Sequence, residues 1–189
     1  MYYHVSSFLE VNQIITRETR NNIDFCSLAS ACDISTFDKF IILYEKLCFS
    51  EVHKKTGRTA EKWLCEYIFE KIRMQKFPNY PSRIWGLYLN TSVQEAKDFL
   101  IKYRDVNTAK IFELELSDEI TVYCFNMDIF TEAHELLLYN TINESIYQRV
   151  NDLANEYWKS YNNYQGTKEF LIDNYTIKVG HQIGLEDVL

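Results

Sequence analysis

Three separated segments of this 189-residue chain carry side chains that can bind a ligand or take part in a reaction. Residues 3–6 contain His4, residues 81–89 contain an arginine and two aromatic residues, and residues 169–172 begin with Glu169. An imidazole donates or accepts a hydrogen bond, and a carboxylate stabilises positive charge. A guanidinium binds anions, and aromatic faces stack on flat groups. In this order, the three segments predict one binding site assembled from both ends of the chain.

The strands that must position these segments are predicted from short clusters of aromatic and branched residues. They are expected at residues 2–6, 84–89, 110–116 and 120–125. Residues 169–172 and 176–179 are predicted to pair as a hairpin that turns at Asp173 and Asn174.

Helical spacing of apolar residues is clearest between residues 36 and 76, where Gly57 separates two predicted helices. The second is expected to end before Pro78, because proline disfavours helix in the residue that precedes it. Ser92 and Glu95 form a capping box that predicts the start of another helix. The last two predicted helices lie around residues 129–137 and 146–158. This mixture, without regular β-α-β alternation, predicts an α+β fold in one domain.

Composition and motifs exclude several classes of protein. The net charge of −7 and the lack of a dense basic stripe argue against a broad nucleic-acid-binding face. Five cysteines without C-x-x-C spacing predict reduced thiols in a cytoplasmic protein, and the four histidines make no zinc-ligand pattern with them. A signal peptide and a membrane-spanning apolar run are not expected. The dinucleotide-binding, P-loop and serine-hydrolase motifs are absent from the sequence.

The ordered landmarks resemble those of the ADP-ribosyltransferase superfamily, which includes diphtheria toxin, the poly(ADP-ribose) polymerases and tRNA 2′-phosphotransferase. Those domains begin with a strand that bears a histidine followed by small polar residues, as residues 3–6 do here. A later strand carries an aromatic residue, as residues 86–89 do, and a helix with an acidic, alanine and aromatic pattern follows, as at residues 94–99. An acidic residue opens a late apolar strand in the family, and Glu169 stands in that place here.

The likeness is greatest to the small bacterial and phage branch, which includes toxins and phage-encoded factors that disable host systems. Its members carry E-x-x-R followed by F-P-x-x-P-S-R, which this chain matches with Glu70, Arg73 and residues 77–83. The resemblance implies an ADP-ribosyltransferase-like split antiparallel β-sheet core over residues 1–189, with a helical insertion at about 24–76. It implies an NAD-dependent mono-ADP-ribosyltransferase, a glycosyltransferase that consumes NAD and needs no metal. The target would be a macromolecule, and the acidic charge favours a protein over a nucleic acid.

The resemblance assigns the reaction to the two ends of the chain. Glu169 would stabilise the oxocarbenium-like charge that forms as nicotinamide leaves the ribose, or would orient the nucleophile. His4 would hydrogen-bond a ribose hydroxyl, while the Val5 backbone and the Ser6 hydroxyl would pair with the nicotinamide amide. The alternatives are a solvent-exposed strand-edge glutamate and a structural histidine.

The middle of the chain would hold the rest of NAD. Tyr88 and Phe99 would stack on the nicotinamide ring, unless they pack in the core. Arg83 would bind the diphosphate or position the target, unless it forms a surface ion pair. Ser82 would lie beside NAD or cap the following turn, and Trp85 would form the pocket floor or pack in the core.

Departures from the family pattern leave other functions open. Val5 stands where many members have glycine, so that a side chain is expected to crowd nicotinamide, although pairing with the backbone needs no particular side chain. Thr167 stands where arginine-modifying toxins have Glu or Gln, and Glu186 is a second choice for the acid. The main alternative is therefore a catalytically inactive module that binds a nucleotide or a protein partner. A helical interaction protein that uses residues 36–76 and does not bind NAD is the third.

Overall fold

The computed structural model describes residues 1–17, 34–49, 59–163 and 165–184. Within them, the strands are β1 (Tyr2–Ser6), β2 (Ile14–Thr16), β3 (Leu87–Leu89), β4 (Lys110–Glu115), β5 (Tyr123–Asn126), β6 (Lys168–Ile172) and β7 (Thr176–Ile183). The helices are α1 (Phe37–Phe49), α2 (Ala60–Lys76), α3 (Val93–Tyr103), α4 (Met127–Tyr139) and α5 (Glu144–Lys159). The strands form two antiparallel sheets, one in the order β1-β4-β7-β2 and one in the order β3-β6-β5. The predicted α+β class is confirmed.

The chain divides into two compact units. The sheet unit comprises Met1–Asn21, Trp85–Tyr123 and Glu169–Leu189, and it contains the four-stranded sheet, β3 and α3. The helical unit comprises Asn22–Ile84 and Cys124–Lys168, and it contains the other four helices. One domain with an insertion at about 24–76 stays a prediction. The two described helices of that range, α1 and α2, belong to the helical unit.

Two apolar clusters fill the sheet unit, one on each face of β4. Alternation along β4 places Ile111 in the first cluster and Phe112 in the second. The first cluster contains Val5, Ala96, Leu100, Ala109 and Ile111. The second contains Ile15, Leu87, Leu89, Phe112, Leu114, Ile172, Tyr175, Ile177 and Val179. The second cluster therefore takes residues from both sheets, so that its burial holds β3 and β6 in place relative to β4.

Aromatic packing builds the core of the helical unit. The ring of Phe69 on α2 lies 4.9 Å from that of Phe130 on α4 and 5.3 Å from that of Tyr157 on α5, measured between centroids. The buried indole of Trp158 donates from Nε1 to the carbonyl of Phe69 at 2.8 Å. Because a buried N–H needs an acceptor, this bond fixes α5 against α2. None of the described helices is long and apolar enough to cross a membrane.

The predicted hairpin between residues 169–172 and 176–179 is wrong. β6 pairs with β3, whereas β7 pairs with β4 and β2 in the other sheet. The turn is where it was predicted: Asn174 has a φ of 53°, and Arg17 Nη1 lies 3.1 Å from Asp173 Oδ1 and 3.0 Å from Asn174 Oδ1. Apolar alternation specifies strands but not their partners, so closeness in sequence predicted the wrong pairing.

The starts of β3 and β5 differ most from the prediction, β7 ends at Ile183 rather than at residue 179, and β2 was not predicted. β3 begins at Leu87 rather than at residue 84, because the Ser82 hydroxyl accepts the Ile84 N–H at 3.1 Å and holds a turn there. β5 begins at Tyr123 rather than at residue 120. β2 has three residues, too few for a period to be recognised. The predicted helix break at Gly57 lies outside the described residues.

The start of α3 confirms Ser92 as the predicted N-cap. Its hydroxyl oxygen accepts the Glu95 N–H at 3.1 Å. The Glu95 carboxylate reaches one residue further back than a capping box requires, because it accepts from the Thr91 N–H at 2.8 Å and the Thr91 hydroxyl at 2.7 Å.

We expect Ser92→Ala to lower the free energy of unfolding by about 1 kcal/mol, because an N–H in the first turn of α3 loses its acceptor. Urea unfolding with an unchanged m-value would measure this loss. Ser117→Ala, in an exposed loop of the same unit, is the matched control and should change stability by less than about 0.5 kcal/mol. Equal losses in the two variants would contradict a capping role.

His134 on α4 is half-buried, and its Nε2 has no hydrogen-bond partner among the described residues. Desolvation by burial lowers the pKa of His134 below its ordinary value of 6.5, and nearby Lys62 lowers it further. The carboxylates of Glu61, Glu66 and Glu135 oppose this shift. His134 is therefore neutral in the folded protein at a pH where the unfolded chain already binds a proton.

This difference predicts that stability depends on pH. Above about pH 6.5 neither state carries the proton, so the stability is complete; as the pH falls toward the lowered folded pKa, the unfolded state gains protons first and stability declines. Urea unfolding between about pH 7.5 and pH 5 should show a smaller decline for His134→Asn than for the wild type. His181→Asn, at an exposed position, is the control. Equal pH dependence in the His134 variant and the wild type would rule out this contribution.

Candidate active site

β1 lies at the edge of the four-stranded sheet, in which it pairs with β4. Its Tyr3 exchanges two backbone hydrogen bonds with Asn90, at 2.9 and 2.8 Å. The backbone groups of Tyr3 therefore point away from β4, and antiparallel alternation turns those of Val5 to the same edge. Outside the ladder with β4, no backbone hydrogen bond within the described ranges involves Val5. The edge thus presents one N–H donor and one C=O acceptor side by side at Val5.

His4 connects this edge to β3 through its side chain. Nδ1 lies 2.8 Å from the carbonyl oxygen of Tyr88. Because a carbonyl oxygen only accepts, Nδ1 carries the proton in this hydrogen bond, and the neutral ring has its acceptor at Nε2. The bond therefore fixes both the orientation and the tautomer of His4, directly beside the Val5 edge.

The Val5 side chain does not lie along that edge. It is 4% exposed and packs with Ala96 and Leu100 of α3 and with Ala109. Side chains of a strand stand perpendicular to the direction of the hydrogen bonds, so the branched side chain itself does not cover the backbone groups of the edge. The Val5 side chain therefore points away from the edge that it was expected to crowd.

Glu169 is brought toward this region by the pairing of β3 with β6. The register joins Tyr88 to Leu171 and Leu89 to Phe170, so that one step beyond the last ladder pair Asn90 lies opposite Glu169. Alternation places Tyr88, Asn90 and Glu169 on one face of the two strands. Glu169 is 7% exposed, and a carboxylate so removed from water must be hydrogen-bonded or charge-paired. His4, Tyr88 and Glu169 thus come from three neighbouring segments that Asn90 connects.

Three other residues predicted for the site, Phe99, Trp85 and Ser6, also belong to the sheet unit. Phe99 is half-buried on α3 and packs against the cluster that contains the Val5 side chain. The guanidinium carbon of Arg104 lies 5.1 Å from the centroid of the Phe99 ring. Trp85 is half-buried, and the Ser6 hydroxyl accepts the Phe8 N–H at 3.1 Å. Phe99 therefore packs on the face of the sheet to which the Val5 side chain points.

Arg83 and Ser82 lie in the helical unit and are buried there. The Arg83 guanidinium is 2.9 Å from Glu66 Oε2 through Nε and donates from Nη1 to the Tyr157 hydroxyl at 2.9 Å. It also stacks over the Phe130 ring, with Cζ 3.7 Å from the centroid. The guanidinium holds a buried ion pair inside a helical core, rather than the surface ion pair that was the alternative. Neither Arg83 nor Ser82 offers accessible surface for a diphosphate.

The ion pair between Glu70 and Arg73 explains the E-x-x-R spacing at the end of α2. Arg73 binds both carboxylate oxygens of Glu70, at 3.0 and 2.7 Å. Its Nη1 donates to the carbonyls of Pro78 and Tyr80, at 3.2 and 3.0 Å. These four bonds hold the loop that follows α2 in one shape. The spacing that resembles a family motif therefore has a role within the helical unit.

A comparison with curated proteins finds no significant match to this chain. A family described as "Protein of unknown function (DUF2441)" matches residues 2–184, which is nearly the whole chain and includes every residue of the site described above. The chain belongs to the DUF2441 family.

Proposed function

We propose that this protein is an NAD-dependent ADP-ribosyltransferase that modifies a macromolecular target. The observation that carries the proposal is the edge of β1, where Val5 presents a backbone N–H and C=O beside a histidine held by Tyr88. A primary carboxamide such as that of nicotinamide has one acceptor and two donors, so it pairs with such an edge through two hydrogen bonds.

The tautomer of His4 suits the adjoining ribose. Its Nδ1 donates to the Tyr88 carbonyl, so the acceptor of the neutral ring is Nε2, the atom that we assign to a ribose hydroxyl. The two contacts, amide at Val5 and ribose at His4, are one residue apart on the same strand. The nicotinamide–ribose bond is then held in a defined place relative to β3, where Tyr88 supplies an aromatic face for stacking. Phe99, on the α3 side, is the second aromatic residue near the amide.

Glu169 is the residue proposed to assist the reaction. The bond between C1′ of the ribose and the nicotinamide nitrogen breaks, and nicotinamide leaves with the electron pair. A nucleophilic atom of the target then bonds to C1′ and loses its proton. A carboxylate beside the ribose stabilises the positive charge of the oxocarbenium-like transition state, as carboxylates do in glycosidases. Its burial strengthens this effect because few water molecules screen it.

The arrangement of the sheets also supports the proposal. β1 and β3 belong to separate antiparallel sheets, and the residues 3 and 90 form an isolated bridge between them. An ADP-ribosyltransferase-like core would have such a division of its strands into two sheets at its NAD cleft. A protein target remains favoured over a nucleic acid because of the net charge of −7. Roles as a toxin or as a phage or host counter-defence factor belong to the same proposal.

A catalytically inactive binding module is the second candidate, and the burial of Glu169 favours it. A carboxylate that is only 7% exposed has limited access to a substrate. Such a module would keep the Val5 edge and bind NAD or a related nucleotide without breaking it.

Nicotinamide release tests the proposal. The purified protein is incubated with NAD alone and with a cell lysate, and nicotinamide is quantified by chromatography. Release that increases with lysate, together with transfer of label from adenine-labelled NAD to a macromolecule, would support the transferase. NAD binding without release would leave the binding module, and the absence of both would refute the transferase and any module that binds NAD.

A further inference from the structure

Asn90 occupies the position at which three strands meet. Its backbone exchanges two hydrogen bonds with Tyr3 of β1, and it follows the last paired residue of β3. One step beyond the pair Leu89–Phe170, the register sets it opposite Glu169. Residues directly opposite each other in an antiparallel pair have Cβ atoms about 4.5–5.5 Å apart. The Asn90 side chain and the Glu169 carboxylate are therefore neighbours on one face.

That face is the one proposed to meet the substrate. Two residues before Asn90 on the same strand is Tyr88, whose side chain alternation places on the same side. The carbonyl of Tyr88 accepts from His4, so that the ring of His4 and the Asn90–Tyr3 bridge lie at consecutive points along β1. Asn90 thus lies opposite Glu169 in the register and pairs with Tyr3, the residue next to His4.

The amide of Asn90 has hydrogen-bonding capacity that the protein does not use. Its Nδ2 donates weakly to the Tyr3 carbonyl, at 3.5 Å. Among the described residues, no hydrogen bond reaches its Oδ1, and the residue is half-buried. A side-chain amide supplies two donors and two acceptor lone pairs, so most of its capacity is available to a ligand.

We infer that Asn90 binds one hydroxyl of the ribose cis-diol next to the scissile bond, while Glu169 serves the neighbouring hydroxyl. This inference rests on the proposed function and deepens it, because it assigns recognition of the nicotinamide ribose to a residue on which the sequence pattern is silent. The Asn90 backbone joins β1 to the end of β3 through two hydrogen bonds, and its side chain binds the ribose hydroxyl. The two roles separate in a variant that changes only the side chain.

The first experiment combines an enzyme variant with altered substrates. Asn90→Ala keeps both backbone bonds to Tyr3, so its melting temperature should stay close to that of the wild type. Its kcat/KM for nicotinamide release should fall about tenfold, the value of one hydrogen bond to a substrate. The same rates are measured with NAD analogues that lack the 2′- or the 3′-hydroxyl of the nicotinamide ribose. With one analogue, the loss from the variant should vanish, because the partner hydroxyl is already missing.

A second variant and a control make the result specific. Asn90→Asp places a carboxylate opposite Glu169, which should move the acidic limb of the pH–rate profile to higher pH, since two adjacent carboxylates resist joint ionisation. An unchanged limb would contradict the placement of the side chain at position 90 beside the carboxylate on which the rate depends. Asn107→Ala, in an exposed loop of the same unit, should leave kcat/KM unchanged.

The outcomes separate the inference from the proposal that underlies it. If the wild type turns over NAD but Asn90→Ala stays within twofold of it, or if losses multiply with both analogues, the assignment of Asn90 is overturned while the transferase stands. If the wild type binds NAD without turnover, the same comparison is made with dissociation constants. A wild type that neither binds nor cleaves NAD overturns both.

Discussion

Glu169→Gln should lower the rate of nicotinamide release by about 10²- to 10³-fold, the loss expected when one electrostatic contact to a transition state is removed. The substitution keeps the shape and the hydrogen-bonding oxygen of the side chain but removes its negative charge. The charge matters in the transition state, where C1′ becomes positive, more than in the ground state. We therefore expect kcat to fall while the dissociation constant for NAD changes by less than about threefold.

A matched substitution separates this effect from a general change of charge. Glu115→Gln removes an exposed carboxylate from β4, in the same unit, and should leave nicotinamide release unchanged. Circular dichroism and thermal unfolding establish that Glu169→Gln is folded. A folded variant with wild-type release would remove Glu169 from the mechanism. Loss of NAD binding in parallel with release would instead indicate that Glu169 contributes to binding alone.

The sequence identified the ends of the candidate site but not the connection between them. His4 and Glu169 stand out because a histidine and an acid each occupy a short strand, and strand type is encoded locally. That β6 pairs with β3 rather than with β7 depends on which sheet buries the apolar face of each strand. This is a property of the assembled core, which no local pattern contains. The local sequence does not predict the inferred role of Asn90 for the same reason, since that role depends on partners in two other strands.

Val5, which differs from the family pattern, shows that the effect of a residue type depends on where the fold directs its side chain. Judged by the resemblance, a branched residue in place of glycine predicts a crowded amide site. In the structure, the branched side chain belongs to the apolar cluster under α3, and the edge is formed by backbone atoms alone. Backbone recognition of this kind tolerates any side chain that packs on the opposite side, so the residue type says little about whether NAD binds.

The largest effect on stability is expected from Arg83. We expect Arg83→Ala to lower the free energy of unfolding by about 3–5 kcal/mol, because it leaves the Glu66 carboxylate buried without its cation. The side chain of Arg83 is 1% exposed, so solvent cannot take over its role. Urea unfolding of the whole protein, followed by circular dichroism, would measure the loss.

A surface arginine of the same unit is the appropriate comparison. Arg149 pairs with Glu132 and Glu156 but is 44% exposed, and Arg149→Ala should cost less than about 1 kcal/mol. Replacing both partners of the buried pair, with Arg83→Met and Glu66→Leu together, should recover most of the stability lost in Arg83→Ala, since two apolar side chains leave no unpaired charge. Equal effects of Arg83→Ala and Arg149→Ala would contradict the buried ion pair.

The same variants decide between the structural role of Arg83 and the diphosphate contact that the resemblance implies. A diphosphate contact predicts that Arg83→Lys, which keeps the charge but not the two-pronged geometry, raises KM for NAD with little loss of stability. A buried ion pair predicts the reverse, because lysine cannot satisfy Glu66 and Tyr157 together. Stability should then fall while KM, measured well below the melting temperature, stays at its wild-type value. The Arg83 contacts favour the second result, so that any cation for the diphosphate must come from elsewhere in the chain.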